Sequence, residues 1–142
     1  MNNVKYWIVV ASKDHVEMGK KSGVVQANHG KFYSLRKMEP GDLILFYSSK
    51  IKYKEPEPCK KFTAIARVKQ GDVYQGHMEG NWEPYRRDVE FLPCEETDIL
   101  PLIPKMTFIR KKESWGFVFR LGCFEIPKED FENISREMKL HL

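Results

Sequence analysis

Met38–Glu39–Pro40–Gly41–Asp42–Leu43–Ile44–Leu45–Phe46–Tyr47 joins a turn to an apolar run. Pro40 presets φ for the second position of a turn, Gly41 accepts the positive φ that a type II turn needs next, and the Asp42 side chain can hydrogen-bond local backbone. The chain therefore reverses at Pro40–Gly41. Leu43 to Tyr47 is apolar without alternation, which suits a short strand covered on both faces, or lying in a curled sheet, better than a surface helix. This predicts a central barrel strand. Tyr6–Trp7–Ile8–Val9–Val10–Ala11 and Phe62–Thr63–Ala64–Ile65–Ala66–Arg67–Val68 are its expected neighbours, since both have strand length and are rich in β-branched or aromatic residues.

Outward from that core, the chain begins with a strand over about Lys5 to Ala11. Ser12 then offers an N-cap to a short helix through His15, Val16 and Met18, with Gly19 and Gly23 limiting its length. Gly23 to Lys31 reads as a strand-like start running into a polar loop between two glycines, and a short helix over Lys31 to Lys37 leads to the Pro40–Gly41 turn. Ser48 to Pro58 is lysine-rich, holds two prolines and has no period, which predicts a loop between strands. Val73 to His77 extends the sheet and Gly80 to Pro84 breaks it. Tyr85 to Leu92 alternates, so that Arg87 points inward with Val89 and Phe91. Ile99 to Ile109, with prolines at 101 and 104, suits short helical turns, whereas Trp115, Phe117 and Phe119 repeat at period two and predict a strand with an aromatic face. The C-terminal helix is the clearest: Phe131, Ile134 and Met138 share a stripe, Glu129 and Asp130 suit the first turn, and Pro127 suits the first helical position. Many short strands with a few helices and no βαβ alternation predict an α+β domain whose mixed sheet curls or closes to protect its edges.

The 142 residues are most simply one domain over 1–142, large enough to bury roughly 70% of the unfolded chain's surface. Cys59, Cys94 and Cys123 are odd in number and outside any CxxC spacing, so neither a disulfide framework nor a zinc site is indicated, and a reducing, cytoplasmic setting is expected. No apolar run approaches the roughly 20 residues of a membrane span. The net charge of +4 is polarised along the chain. Lys50 to Lys61 carries five lysines against two glutamates, Lys105 to Arg120 five basic residues against Glu113, and Glu79 to Asp98 seven acidic residues against Arg86 and Arg87. The basic segments are either solvated loops or two sides of one groove that tracks a phosphate backbone.

Several residues have the chemistry of base recognition. Gln26 and Asn28 carry amides that both donate and accept, and Ser12 adds a hydroxyl; turn capping is their alternative role. Trp82, Trp115 and Phe119 offer stacking faces worth roughly 1–3 kcal/mol per base, unless Trp115 and Phe119 are core. Arg86, Arg87 and Arg120 are suited to phosphate or to nearby carboxylates. His29 beside Lys31 at a helix start is a candidate anion site. The sequence contains no Ser-His-Asp order, metal-ligand spacing or phosphate loop, and no cofactor is expected.

Tyr6–Trp7–Ile8, Gln26–Ala27–Asn28, Pro40–Gly41–Asp42 before an apolar strand, Phe62–Thr63–Ala64–Ile65, Phe108–Ile109, Trp115–Gly116 and Phe124–Glu125–Ile126 before a final helix together resemble the EVE domain, in matching order from about Val4 to Met138. That family belongs to the PUA-like superfamily and is similar to the YTH readers of methylated adenine in RNA. The resemblance implies a PUA-like pseudo-barrel with short flanking helices. It also implies a pocket for a modified base between the end of the first strand, the Gln26 loop and the aromatic segment. A methylated or hydroxymethylated cytosine in DNA or RNA is the expected ligand, and the module is expected to bind rather than catalyse. Commoner members carry Lys-Ser-Glu-Pro after the first strand and Arg after Gln-Ala, where this chain has Ala11–Ser12–Lys13–Asp14 and Asn28. The superfamily also contains ASCH domains, some similar to amidohydrolases of acylated cytidine with a Lys, Thr and Glu set, for which Lys31, Thr63 and Glu125 are the candidates here. A non-catalytic interaction scaffold is a third reading.

Overall fold

The structure, a computed structural model, describes residues 3–27, 32–75 and 85–140. Its elements are β1 (Tyr6–Val10), α1 (Lys13–Ser22), β2 (Val24–Ala27), α2 (Phe32–Lys37), β3 (Leu43–Lys50), β4 (Pro58–Val68), β5 (Tyr74–Gln75), β6 (Tyr85–Phe91), β7 (Thr97–Asp98), β8 (Cys123–Ile126) and α3 (Lys128–Glu137). Two 3₁₀ segments, Leu100–Lys105 and Lys112–Leu121, lie between β7 and β8. The strands run in the order β2-β6-β4-β3-β1-β8, with β5 on β6 and β7 on β4. Only β1 and β3 pair in parallel among the described strands, so the sheet is mixed, and it curls into a half-barrel.

Leu43–Tyr47 lies at the centre of this sheet, hydrogen-bonded to β1 on one side and β4 on the other. Its residues split between two cores. Leu43, Leu45 and Tyr47 join Ile8, Phe62 and Ile65 under Leu102, Ile103 and the α3 stripe of Phe131, Ile134 and Met138. Ile44 and Phe46 join Trp7, Val9, Ala64 and Ala66 against Val16 of α1 and Leu35 beside the end of α2. A strand covered on both faces gains nothing from alternating with polar residues, which accounts for the continuous apolar run.

The turn before β3 is tied to both neighbouring strands. Gly41 has φ +94, donates its N–H to the Val68 carbonyl at 2.8 Å, and is followed by Asp42, which is almost wholly buried. The Asp42 carboxylate accepts the Lys5 N–H (3.0 Å), the Trp7 indole N–H (3.0 Å) and the Glu39 N–H (2.9 Å). Three donors compensate the desolvation of this one charge.

The β3–β4 pairing has two register shifts, and the first places a bulge in β4. Tyr47 pairs with Phe62 and Phe46 with Ala64, so Thr63 is an extra residue. Phe62 and Ala64 consequently face opposite cores although they are two apart. Such a bulge increases local twist. Buried Thr63 and Ser48 then satisfy one another through hydroxyls 2.9 Å apart.

Four expectations are corrected. The predicted loop Ser48–Pro58 contracts to residues 51–57, because Ser48–Lys50 and Pro58–Lys61 continue the β3–β4 hairpin. Gly19 does not end α1: it is buried inside the helix, where a Cβ would lie 2.8 Å from the Val24 carbonyl oxygen, while Gly23 at φ +68 forms the C-cap. Pro127 is the N-cap of α3, one residue before its first helical position. The aromatic run is not a strand. Lys112–Leu121 is 3₁₀, with Ser114 at φ −118, ψ 39 interrupting it. Arg87 does point inward: it is buried and donates to the carbonyls of Leu35 (3.1 Å) and Met38, where the end of α2 concentrates partial negative charge.

Candidate functional site

The 3₁₀ segment sorts its aromatic residues by face. Phe119 is buried, with ring centroids of Tyr47 at 4.5 Å, Phe124 at 5.8 Å, and Phe108 and Trp115 each at 6.2 Å. It is therefore core, and its predicted role as a stacking surface is corrected: a ring buried among four others has no open face for a base. Trp115 is half-buried and stands edge-on to Tyr47 at 6.4 Å and 84° and to Phe119 at 6.2 Å and 77°. Two perpendicular contacts fix the indole plane while leaving part of it accessible. Phe117, between them in sequence, is 69% exposed, and the Arg120 guanidinium lies over its ring at 5.2 Å. Trp115 and Phe117 border a solvent-open recess of about 400 Å³ together with Glu113, Ser114, Gly116 and Arg120. The sequence signal for this site was the basic run interleaved with aromatics, but reading it as a strand hid the lining roles of Glu113, Ser114, Gly116 and Phe117.

A second group lies on the β2–β6 pair. Gln26 is opposite Arg86, whose Nε donates to Gln26 Oε1 at 3.2 Å. Tyr74 is opposite Arg86 on the other side and donates its hydroxyl to Asp88 at 2.7 Å. The structure brings Gln26 and Arg86 together, as it does Trp115, Phe119 and Arg120; the first set sits at the β2 edge and the second over the core beneath α3. Asn28, His29, Lys31 and Trp82 lie outside the described residues.

Ser12 occupies the N-cap position of α1 without making a capping bond. Its hydroxyl donates instead to Asp14 at 2.5 Å, and the same carboxylate accepts the His15 N–H at 2.9 Å and the Tyr53 N–H at 3.3 Å. Burial pushes the Asp14 carboxyl up, but the bonds from Ser12 and the two amides outweigh it and hold the group below the usual range. Asp14 thereby pins the tip of the β3–β4 hairpin to α1, helped by the His15 and Tyr53 rings at 5.0 Å. Beside it, Lys13 pairs with Glu96 at 3.0 Å. The hydrogen bond to Glu96 raises the Lys13 ammonium above its usual range. The Cys59 and Cys94 thiols are pushed up chiefly by burial, the opposite of what a reactive thiolate needs.

Two members of the amidohydrolase set do not come together, and the third, Lys31, lies outside the described residues. Thr63 is buried against Ser48, whereas Glu125 is exposed on β8, three strand positions away. No group of three or more His, Cys, Asp or Glu side chains suited to a metal ion occurs among the described residues. No helix among them is long and apolar enough to cross a membrane.

Comparison with known proteins places this arrangement in a family. A UPF0310 protein of Mycobacterium avium is 46% identical over 132 residues, covering 93% of this chain and 96% of its own. The YTH domain of the Zygosaccharomyces rouxii MRB1 protein, solved in complex with N6-methyladenosine RNA, superposes with a TM-score of 0.64 at 12% identity, over 96% of this chain and 87% of its own. Human THYN1, solved in complex with DNA containing 5-methylcytosine, superposes with a TM-score of 0.54 at 15% identity, over 97% of this chain and 99% of its own. These likenesses confirm the PUA-like fold. The EVE domain model matches residues 5–137, and the chain belongs to the EVE domain family.

Proposed function

We propose that residues 1–142 act as one nucleic-acid-binding module that reads a modified base, methylated or hydroxymethylated cytosine, in DNA or RNA. The observation that carries this reading is the half-buried indole of Trp115, clamped edge-on by Tyr47 and Phe119 beside an open recess. Structural neighbours solved with N6-methyladenosine RNA and with 5-methylcytosine DNA support it. The base leaves its stack, because a duplex hides both faces, and aromatic contact with Trp115 offsets the unstacking. In this reading Ser12 and Asn28 contribute hydrogen bonds to the base edge, and Gln26, held with Arg86 at the β2 edge three strands from Tyr47, contacts a nucleotide other than the one on Trp115. Arg86, Arg120 and the His29–Lys31 pair take phosphate, and Trp82 stacks from the rim. Tyr47, which touches Trp115 of one basic segment, lies three residues before Lys50, where the other begins.

Hydrolysis of acylated cytidine has less support, since Thr63 and Glu125 lie on strands three positions apart. A scaffold would bind no oligonucleotide.

Matched oligonucleotides that differ only in the cytosine substituent, with a methylated-adenine control, test the reading. A fully buried methyl group contributes about 0.8 kcal/mol, about fourfold in affinity, so a preference of that order or larger is expected for the modified cytosine. Trp115→Ala should abolish the preference, and Gln26→Ala should weaken all the oligonucleotides alike. Equal affinity for all oligonucleotides, or an undiminished preference in Trp115→Ala, would overturn the assignment.

A further inference from the structure

Three residues of one short segment, Trp115, Phe117 and Phe119, have different fates. Phe119 is core and Trp115 is the half-buried wall, yet Phe117 holds out a phenyl ring that is 69% exposed. Nothing in folding requires that exposure, because a buried Phe is worth more to stability than an exposed one. The ring shares its recess with Trp115 and is backed by the Arg120 guanidinium at 5.2 Å. Lys105, Arg110, Lys111 and Lys112, all exposed, make the surrounding segment strongly basic. Glu113 is its only acidic residue and lies in the recess itself.

Resting on the base-reading function above, we propose that Phe117 and Arg120 form a second subsite, which takes the nucleotide next to the modified one in a single strand. The neighbouring base stacks on Phe117 and its phosphate lies toward Arg120, whose planar, permanently charged guanidinium suits a phosphate oxygen pair. Glu113 repels phosphate and accepts hydrogen bonds from exocyclic amino groups. It therefore sets the polarity of the recess: base toward Glu113, backbone toward the lysines. A duplex cannot use this subsite, because its base faces are already stacked. A free nucleoside reaches only the Trp115 wall.

Gly116 provides an independent handle on the same recess. It has no left-handed φ, and a Cβ placed on it meets no atom within 4 Å, so a side chain there projects into open space without straining the fold.

Fluorescence anisotropy with a dye-labelled single-stranded tetranucleotide, carrying either cytosine or 5-methylcytosine at its second position, tests this. Phe117→Ala should weaken both oligonucleotides by about 5- to 150-fold, the factor a base–aromatic stack contributes, and leave their affinity ratio unchanged. Gly116→Leu should weaken both, and Phe117→Tyr should restore binding. Arg120→Gln should make the log–log salt slope shallower by about 0.7, because one phosphate of the single strand is no longer neutralised. Melting temperatures of all four variants should match that of the unaltered protein. Undiminished affinity in Phe117→Ala overturns the second subsite even if the methyl preference persists. Loss of affinity in Phe117→Ala without any methyl preference in the unaltered protein keeps the subsite and overturns base reading. Failure to bind either tetranucleotide overturns both.

Discussion

Asp42 and Asp14 illustrate how single carboxylates organise this chain. Asp42 is buried and satisfies donors from Lys5, Trp7 and Glu39, so Asp42→Ala leaves three N–H groups without their acceptor. Part of that loss is recovered by water entering the gap, and a destabilisation of about 3 kcal/mol is expected from urea unfolding. Asp14 works at the molecular surface and is legible through pH. Its folded carboxyl sits below the ordinary value of about 3.9, so the stability it contributes is fully present above that value. It is lost as pH falls through the lower folded value. Urea midpoints followed from pH 5 to pH 2 should therefore fall less steeply in Asp14→Asn than in the unaltered protein. Equal slopes would mean that the hairpin tip is held by other contacts. Arg87 adds a third case: its alternation with Val89 and Phe91 announced an inward charge, and the carbonyls at the end of α2 receive it.

At the scale of elements, contacts between segments override local signals. Gly19 reads as a helix terminator, but the α1–β2 approach makes it an interior residue, with the Val24 carbonyl 2.8 Å from where a Cβ would stand. Gly19→Ala should force α1 away from β2 and cost about 1–3 kcal/mol, although alanine is the better helix former. A stabilised Gly19→Ala variant in thermal unfolding would show that the two elements have room to spare. The 3₁₀ segment behaves similarly. Three aromatics at alternate positions satisfy a strand template, but residues 115 and 119 are brought to one side here, and the intervening Phe117 is turned outward. A strand over the same residues would have placed all three together.

Charge is polarised along a chain whose curled sheet carries an apolar core on each face. If the segments Lys50–Lys61 and Lys105–Arg120 track a phosphate backbone, affinity for short single strands should fall with salt, with a log–log slope of about −0.7 per phosphate neutralised. Binding indifferent to salt between low and physiological concentrations would confine recognition to a nucleoside pocket. Core substitutions provide the reference for every binding variant. Leu45→Ala and Phe131→Ala, which empty fully packed positions, should each cost roughly 2–5 kcal/mol, whereas Gln26→Ala on the half-buried β2–β6 pair should cost under about 1 kcal/mol.

Turn chemistry and hydrophobic period act over a few residues, and what depends on them alone was determined by the sequence. Pro40–Gly41–Asp42 set the reversal, the unbroken Leu43–Tyr47 run set a doubly covered central strand, and the Phe131, Ile134 and Met138 stripe set the last helix. The ordered motifs from Tyr6 to Ile126 set the family. Tertiary structure alone decided which core each residue joined, because the extra residue Thr63 reverses the facing of β4 midway and no local period encodes a bulge. It also decided which aromatic is wall, which is core and which is platform. Phe119 is buried by Tyr47 and Phe108 from other parts of the chain, and Phe117 is left exposed because those partners fill the space on one side of the segment only.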